Sequence, residues 1–164
     1  IGPHDYFNAL SGIFLKKLFS GTLPALLNGG FDWVDVRDIC IATGHILKLD
    51  ENKTTNILSR RYILSGHFAT LADIATRCSK ISIKRKPRLI FSKSLAKFGL
   101  PFIKVWAKIS GSAPIYTLES ISTLLDHEVH FSHQKALLEL DYHPRSLNET
   151  LQDCYQWYKE NGMI

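Results

Sequence analysis

Apolar positions recur at helical spacing along most of this chain. Over residues 6–19 they fall at Phe7, Leu10, Phe14, Leu15 and Leu18, which predicts a first helix ended by Gly21. Pro24 and Gly29-Gly30 mark a connector, and residues 31–34 read as a short strand. The next helix carries Ile39, Ala42, Ile46 and Leu49 on its apolar face. Asp35 is placed to cap its N-terminus, with Asp38 near the positive helix end. After a polar loop at 50–55, residues 61–64 read as a strand and Ser65-Gly66-His67 as the turn behind it. Thr70 caps a helix to about residue 80, and Asp73 stands three residues on, close to a capping box.

The second half continues in kind. Residues 81–88 are short, basic and interrupted by Pro87, and 89–110 has a helical period broken near Gly99-Leu100-Pro101. Thr117 caps a helix to about 125, and residues 128–131 read as a short strand. Ser132 caps a helix to about 140, and Ser146 with Glu149 marks the start of a last helix to about 160. The pattern predicts a helix-rich α/β fold of about eight helices with three or four short strands. Strand, loop, helix is an α/β unit. So few strands want parallel neighbours that these residues do not supply, so most of the parallel sheet is expected to be missing.

With 164 residues, 45% of them hydrophobic and 21% charged, the chain suits one globular domain and excludes collagenous or disordered classes. No apolar run reaches the roughly 18 residues of a membrane span. The chain begins with Ile1, and its only Met is Met163; residues 1–20 lack the order of a signal peptide. It is therefore expected to be part of a longer protein. The net charge of +5 is concentrated: residues 74–118 hold ten Lys and Arg and no acid, leaving the remainder net acidic. Cys40, Cys78 and Cys154 are widely spaced among helix-like residues and predict buried free thiols in a reducing compartment, the cytoplasm.

Candidate chemistry is sparse. There is no glycine-rich dinucleotide fingerprint and no P-loop, and the reading assigns no catalytic Tyr-x-x-x-Lys pair. His127, His130 and His133, with Glu128, have the residue types of a zinc site, but they run from a helix end through a strand to a cap and are not expected to converge. No metal is expected. Lys93, Lys97, Lys104 and Lys108 fall near one face of the 89–110 helix. Such a face suits either a solvated lid or an anionic membrane surface, and the solvated lid is favoured. The run Lys84-Arg85-Lys86-Pro87-Arg88 is too short to argue nucleic-acid binding. Trp33, Asp35, Arg37 and Asp38 cluster at a strand-to-helix turn, where α/β proteins bind ligands; helix capping is the competing role for the two carboxylates.

These residues together resemble a family. Gly2-Pro3-His4-Asp5 resembles the GPGD turn of the extended short-chain dehydrogenases/reductases, also called NAD-dependent epimerases/dehydratases. Residues 30–38 resemble that family's FVDVRD segment, and residues 61–66 its RYILGG strand. Ser132, Lys135, Ala136, Leu140, Tyr142, Pro144, Arg145 and Leu147, then Thr150, Asp153 and Trp157, match the family's C-terminal pattern in order. The match runs from Gly2 to Gly162 and is most similar to the dihydroflavonol 4-reductase-like branch. No single motif is specific; the ordered set is.

The resemblance implies that residues 1–164 form the C-terminal, substrate-binding portion of an extended Rossmann-type reductase. Residues 31–80 would contribute elements that pack on an absent Rossmann domain. The glycine-rich loop and the catalytic Ser/Thr, Tyr and Lys would lie in that other half, so no catalytic or cofactor-binding residue is assigned here. By the resemblance, His4, Tyr6, Phe7, Asn8 and Trp33 face a small-molecule substrate, and the 89–110 region forms a lid or wall. NAD or NADP would be the cofactor of the longer protein, with none bound tightly by this chain alone. A homodimer is compatible with the resemblance; nucleic acid and a membrane surface are not expected partners. Two departures stand out: His4 replaces the second Gly of GPGD, and Asp141 replaces a Gly at a helix end. The competing reading is a stand-alone, non-catalytic binding or interaction domain, associated in one form with a membrane surface through 89–110.

Overall fold

Asp5 decides where the first helix begins. Its Oδ1 accepts the Ala9 N–H at 3.0 Å, which holds the opening residues in a turn. Helix α1 therefore spans Leu10–Phe19, shorter than the apolar period suggests, and buries Phe14, Leu15, Leu18 and Phe19. The computed structural model describes residues 1–7, 9–51, 61–92 and 131–164. Asn8, Thr117, the four lysines of 93–108, His127 and His130 lie outside these residues.

Two short sheets follow. Strand β1, Ala25–Leu27, pairs in parallel with β4, Leu89–Phe91, in the register Ala25↔Leu89 to Leu27↔Phe91. Strand β2, Gly30–Trp33, pairs antiparallel with β3, His67–Thr70, from Gly30↔Thr70 to Trp33↔His67. Between them run helix α2, Val36–Glu51, and helix α3, Leu71–Ser82. Helices α4, Gln134–Leu140, and α5, Leu147–Glu160, close the chain. Thr70 Oγ1 accepts the Asp73 N–H, and the Asp73 carboxylate accepts the Thr70 N–H, so α3 starts on a full capping box. Ser146 Oγ accepts the Glu149 N–H at the start of α5, and Ser132 Oγ accepts the Gln134 N–H at the start of α4.

The main core joins α1, β1, β2, α3 and α5 through Leu15, Leu26, Ile74, Cys78, Leu151, Cys154 and Tyr158. A smaller core sets Ala42 of α2 against Ala136 and Leu140 of α4 and Tyr142. His45 Nδ1 donates to the Leu140 carbonyl at 2.6 Å, tying α2 to the end of α4.

Four expectations are corrected. The described residues hold five helices rather than about eight; of the others expected, the one capped by Thr117 and the Pro101 side of the broken helix lie outside them. The residues expected to open that broken helix, 89–91, are strand β4, where Leu-Ile-Phe is too short for its period to be read. Residues 61–64 are not a strand. They lie along α4: the Tyr62 hydroxyl donates to Glu139 at 2.7 Å, and Lys135 Nζ donates to the Arg61 carbonyl at 3.1 Å. The strand starts at His67, inside the expected turn. Cys40 is exposed, on the outer side of α2, while Cys78 and Cys154 are buried. No helix among the described residues is long and apolar enough to cross a membrane.

Candidate functional site

The turn at residues 1–7 is fixed from below. The Ile1 nitrogen donates to the Val34 carbonyl at 2.8 Å, and the Val36 N–H donates to the Ile1 carbonyl at 2.8 Å. Gly2 then passes so close to the start of α2 that a Cβ would lie 2.8 Å from Val36 Cγ1 and 3.2 Å from Asp35 Oδ1, with φ at 153°. His4 has φ 70°, the left-handed backbone that the Gly of the resembled motif would supply. Its ring lies 5.7 Å from Trp157 and 6.2 Å from Tyr6, and Tyr6 meets Trp157 edge-on at 5.2 Å. Phe7, 97% exposed, follows directly.

Of the expected substrate residues, the structure thus gathers His4 and Tyr6, with Phe7 next in the chain. Trp33 is elsewhere. Its ring is buried, stacked near Phe14 at 6.3 Å and edge-on to Phe31 at 5.8 Å. Its indole N–H is already bonded to the Ala69 carbonyl at 2.9 Å, so it has no polar edge left for a ligand. Trp157 belongs to the aromatic group instead. The sequence shows it as one position of the last helix that matches the resembled pattern, with no sign of this role; the position of the opening turn against its ring is a long-range fact.

Beneath the turn is a layer of paired charges. Arg37 grips Asp35 with Nε at 3.0 Å and a second nitrogen at 2.7 Å, and reaches Asp153 on α5 at 2.7 Å. Arg145 donates to Asp38 from its backbone N–H at 2.9 Å and from Nε at 2.7 Å. Both carboxylates are buried. Burial alone would raise the Asp35 carboxyl. The Arg37 side-chain and backbone bonds, a Thr150 hydroxyl and the Arg37 charge outweigh it and hold Asp35 below its ordinary value. Arg37 is correspondingly raised, chiefly by its bond to Asp35. Asp35 does cap α2, accepting the Arg37 N–H at 2.9 Å, whereas the Asp38 carboxylate is turned to Arg145.

Behind β3 the backbone approaches closely. Gly66 donates to Asp32 Oδ1 at 2.6 Å, and a Cβ on it would lie 1.9 Å from the Trp33 carbonyl oxygen. Ser65 donates to the Phe131 carbonyl at 2.7 Å and meets His133 Nδ1 at 2.9 Å, and the Tyr142 hydroxyl donates to the Ser65 carbonyl at 3.0 Å. Burial pushes the Tyr142 phenol up to about 12.

Two features bear on cofactor chemistry. The strand-to-helix junctions at β2–α2 and β3–α3 both carry carboxylates, Asp35, Asp38 and Asp73, where a dinucleotide pyrophosphate would need bare N–H groups. Tyr155 and Lys159 stand at Tyr-x-x-x-Lys spacing on α5, which corrects the reading that assigned no such pair. The Tyr155 ring packs on Phe19 at 5.2 Å against the main core, so the spacing serves packing there. Among the described residues, no group of three or more His, Cys, Asp or Glu is arranged to hold a metal ion.

No protein-family model matches the chain. It is 27% identical over its whole length to a Synechocystis protein assigned as a dihydroflavonol 4-reductase, covering 47% of that protein. It is 25% identical to sterol demethylase protein B of Methylococcus capsulatus, again over its whole length and 48% of the relative. The chain thus spans about half the length of the curated relatives it matches. Among solved structures, gox2253 superposes with a TM-score of 0.75 at 25% identity, over all of this chain and 48% of that one. The UDP-glucuronic acid 4-epimerase of Bacillus cereus, solved with UDP-glucuronic acid and NAD, shares the fold at a TM-score of 0.65 and 17% identity, over 98% of this chain and 43% of its own. Over its whole length the chain is thus similar in sequence to about half of a protein assigned as a dihydroflavonol 4-reductase, and in fold to about half of gox2253.

Proposed function

We propose that this chain is the substrate-binding portion of an NAD(P)-dependent oxidoreductase or epimerase acting on a carbonyl or alcohol carbon. One observation carries the reading: the chain aligns end to end with two relatives whose names denote a reductase and a sterol demethylase protein, and one fold spans it entirely. The nicotinamide would supply or accept the hydride. By the family resemblance, its binding residues would lie in a part of the protein outside those described; the starts of α2 and α3, which carry Asp38 and Asp73 in their first turns, favour this. This chain's own work is shape selection and exclusion of water. His4, Tyr6 and Phe7, with Asn8, are the proposed substrate contacts, and Trp157 backs them. Their aromatic character favours a ring-bearing substrate, in keeping with the dihydroflavonol and sterol in the relatives' names.

The decisive experiment is to read the frame upstream of Ile1. A glycine-rich βαβ unit followed by Tyr-x-x-x-Lys is expected, and an open frame lacking both would overturn the proposal. Titration of the isolated chain with NADPH, followed by nicotinamide fluorescence, is expected to show no tight binding. Tight binding would place cofactor contacts in this chain.

A further inference from the structure

The loop from α3 to β4 combines two features that rarely share one surface. Ile83 closes α3 with φ 57° and is 91% exposed. A β-branched residue in the left-handed region is strained, and burial gives Ile83 nothing in return. Around it stand Lys80, Lys84, Arg85, Lys86 and Arg88, all exposed. The loop lies against the turn that ends α1: a Cβ on Gly21 would be 3.3 Å from Lys84 Cβ and 3.6 Å from the Arg85 carbonyl. Two further lysines, Lys16 and Lys17, lie in the last turn of α1. Lys86 Nζ donates to Thr76 Oγ1 at 3.1 Å, and no acidic residue occurs from Ile74 to Leu118. Residues 93–118, next in the chain, carry only lysines among their charges, so they bring no counter-charge.

We propose that the α3–β4 loop docks on an anionic lipid surface, its cations meeting the headgroups and Ile83 entering the headgroup–acyl boundary. The sequence alone weighs against a membrane partner for the 89–110 segment; the site proposed here is a different one. Charge complementarity calls for an anionic partner, and the aliphatic anchor selects lipid among anions. Single-stranded nucleic acid would be held by aromatic platforms, and residues 80–88 contain no aromatic residue.

The test is co-sedimentation of the full chain with vesicles of phosphatidylcholine, with and without about 30% phosphatidylserine. Binding is expected only to the anionic vesicles and should fall with added salt. Replacing Lys84, Arg85, Lys86 and Arg88 together by Gln should weaken it at least about tenfold. Ile83→Gly separates docking from folding. Glycine relieves the left-handed strain, so thermal stability should rise while vesicle binding falls severalfold. Equal binding to neutral vesicles, no binding, or full binding by the four-Gln variant would overturn the proposal. So would a single-stranded oligonucleotide bound more tightly than the vesicles at the same ionic strength.

Discussion

Replacing Arg145 by Ala tests the charged layer most directly. Asp38 keeps only 4% of its side chain exposed and Arg145 20%, so solvent screens the pair little. The substitution removes the Nε–H bond at 2.7 Å and leaves the Asp38 carboxylate with the backbone N–H of residue 145 at 2.9 Å. Breaking a buried pair by deleting one partner costs about 3–5 kcal/mol. The surviving backbone bond argues for the lower end, about 3 kcal/mol. For a chain of 164 residues this lowers Tm by roughly 6–12 °C. Thermal and urea unfolding followed by circular dichroism measure it. Asp38→Asn combined with Arg145→Ala removes both charges, so the double variant should be less destabilised than the sum of the singles by about 2 kcal/mol. A Tm shift under about 2 °C, or strict additivity, would show that the layer does not hold the fold.

Other predictions rest on neighbouring observations. Asp35, held below its ordinary value, contributes stability that is whole above the unfolded carboxyl value of about 3.9 and is lost as pH falls through the lower folded one. Arg37→Ala should therefore cost about 2 kcal/mol near pH 7 and progressively less as pH falls below that unfolded value, and a pH-independent gap in urea unfolding would contradict this assignment. Gly66→Ala drives a Cβ into the Trp33 carbonyl, a backbone atom that cannot yield, and should cost about 2–3 kcal/mol by the same assay; wild-type stability would refute the close approach. Burial raises both the Cys78 and the Cys154 thiols, the latter to about 12, so a thiol reagent should label Cys40 alone until the chain is unfolded. Rapid native labelling of Cys78 or Cys154 would speak against the packing of α3 on α5. Asp141→Gly relieves a left-handed residue at φ 53° and should stabilise the chain by about 1 kcal/mol, measured as a rise in Tm.

What the sequence shows depends on how local the cause is. Helices α2, α3 and α5 carry their apolar period and polar starts within one segment, and their positions match the expectation. Strand β2 is bounded by Gly30 and Asp35 and is legible for the same reason. Residues 61–64 have strand-like composition, yet their partners, Glu139 and Lys135, are more than seventy residues away, and no local pattern distinguishes a helix's flank from a sheet. Strands β1 and β4 are three residues each, too short for alternation. In the site, His4, Tyr6 and Phe7 were visible through the resemblance, but Trp157 joins them only through tertiary packing, and Trp33 leaves them for the core. The two departures from glycine, at His4 and Asp141, kept the left-handed backbone that glycine would have had. The turn geometry is therefore set by its surroundings, not by the residue.

That last point bears on how the site is built. The opening turn is held by backbone bonds from Ile1 to Val34 and Val36 and by the close fit of Gly2 on Asp35. Asp35 is gripped by Arg37, which also holds Asp153 on α5, the helix that carries Trp157. One charged layer thus fixes both the turn that bears His4 and Tyr6 and the helix whose ring they touch. The aromatic side chains stand on this base without contributing to its charge pairing. Stability and ligand selection should then separate by residue. Tyr6→Ala and Phe7→Ala should leave Tm within about 2 °C, because exposed side chains bury little on folding. Under the proposed function, the same changes in the longer protein should raise KM for a ring-bearing substrate more than they lower kcat, as expected when uniform binding is lost. A large stability loss from Phe7→Ala would mean instead that this residue holds the turn, and the division between base and binding surface would fail.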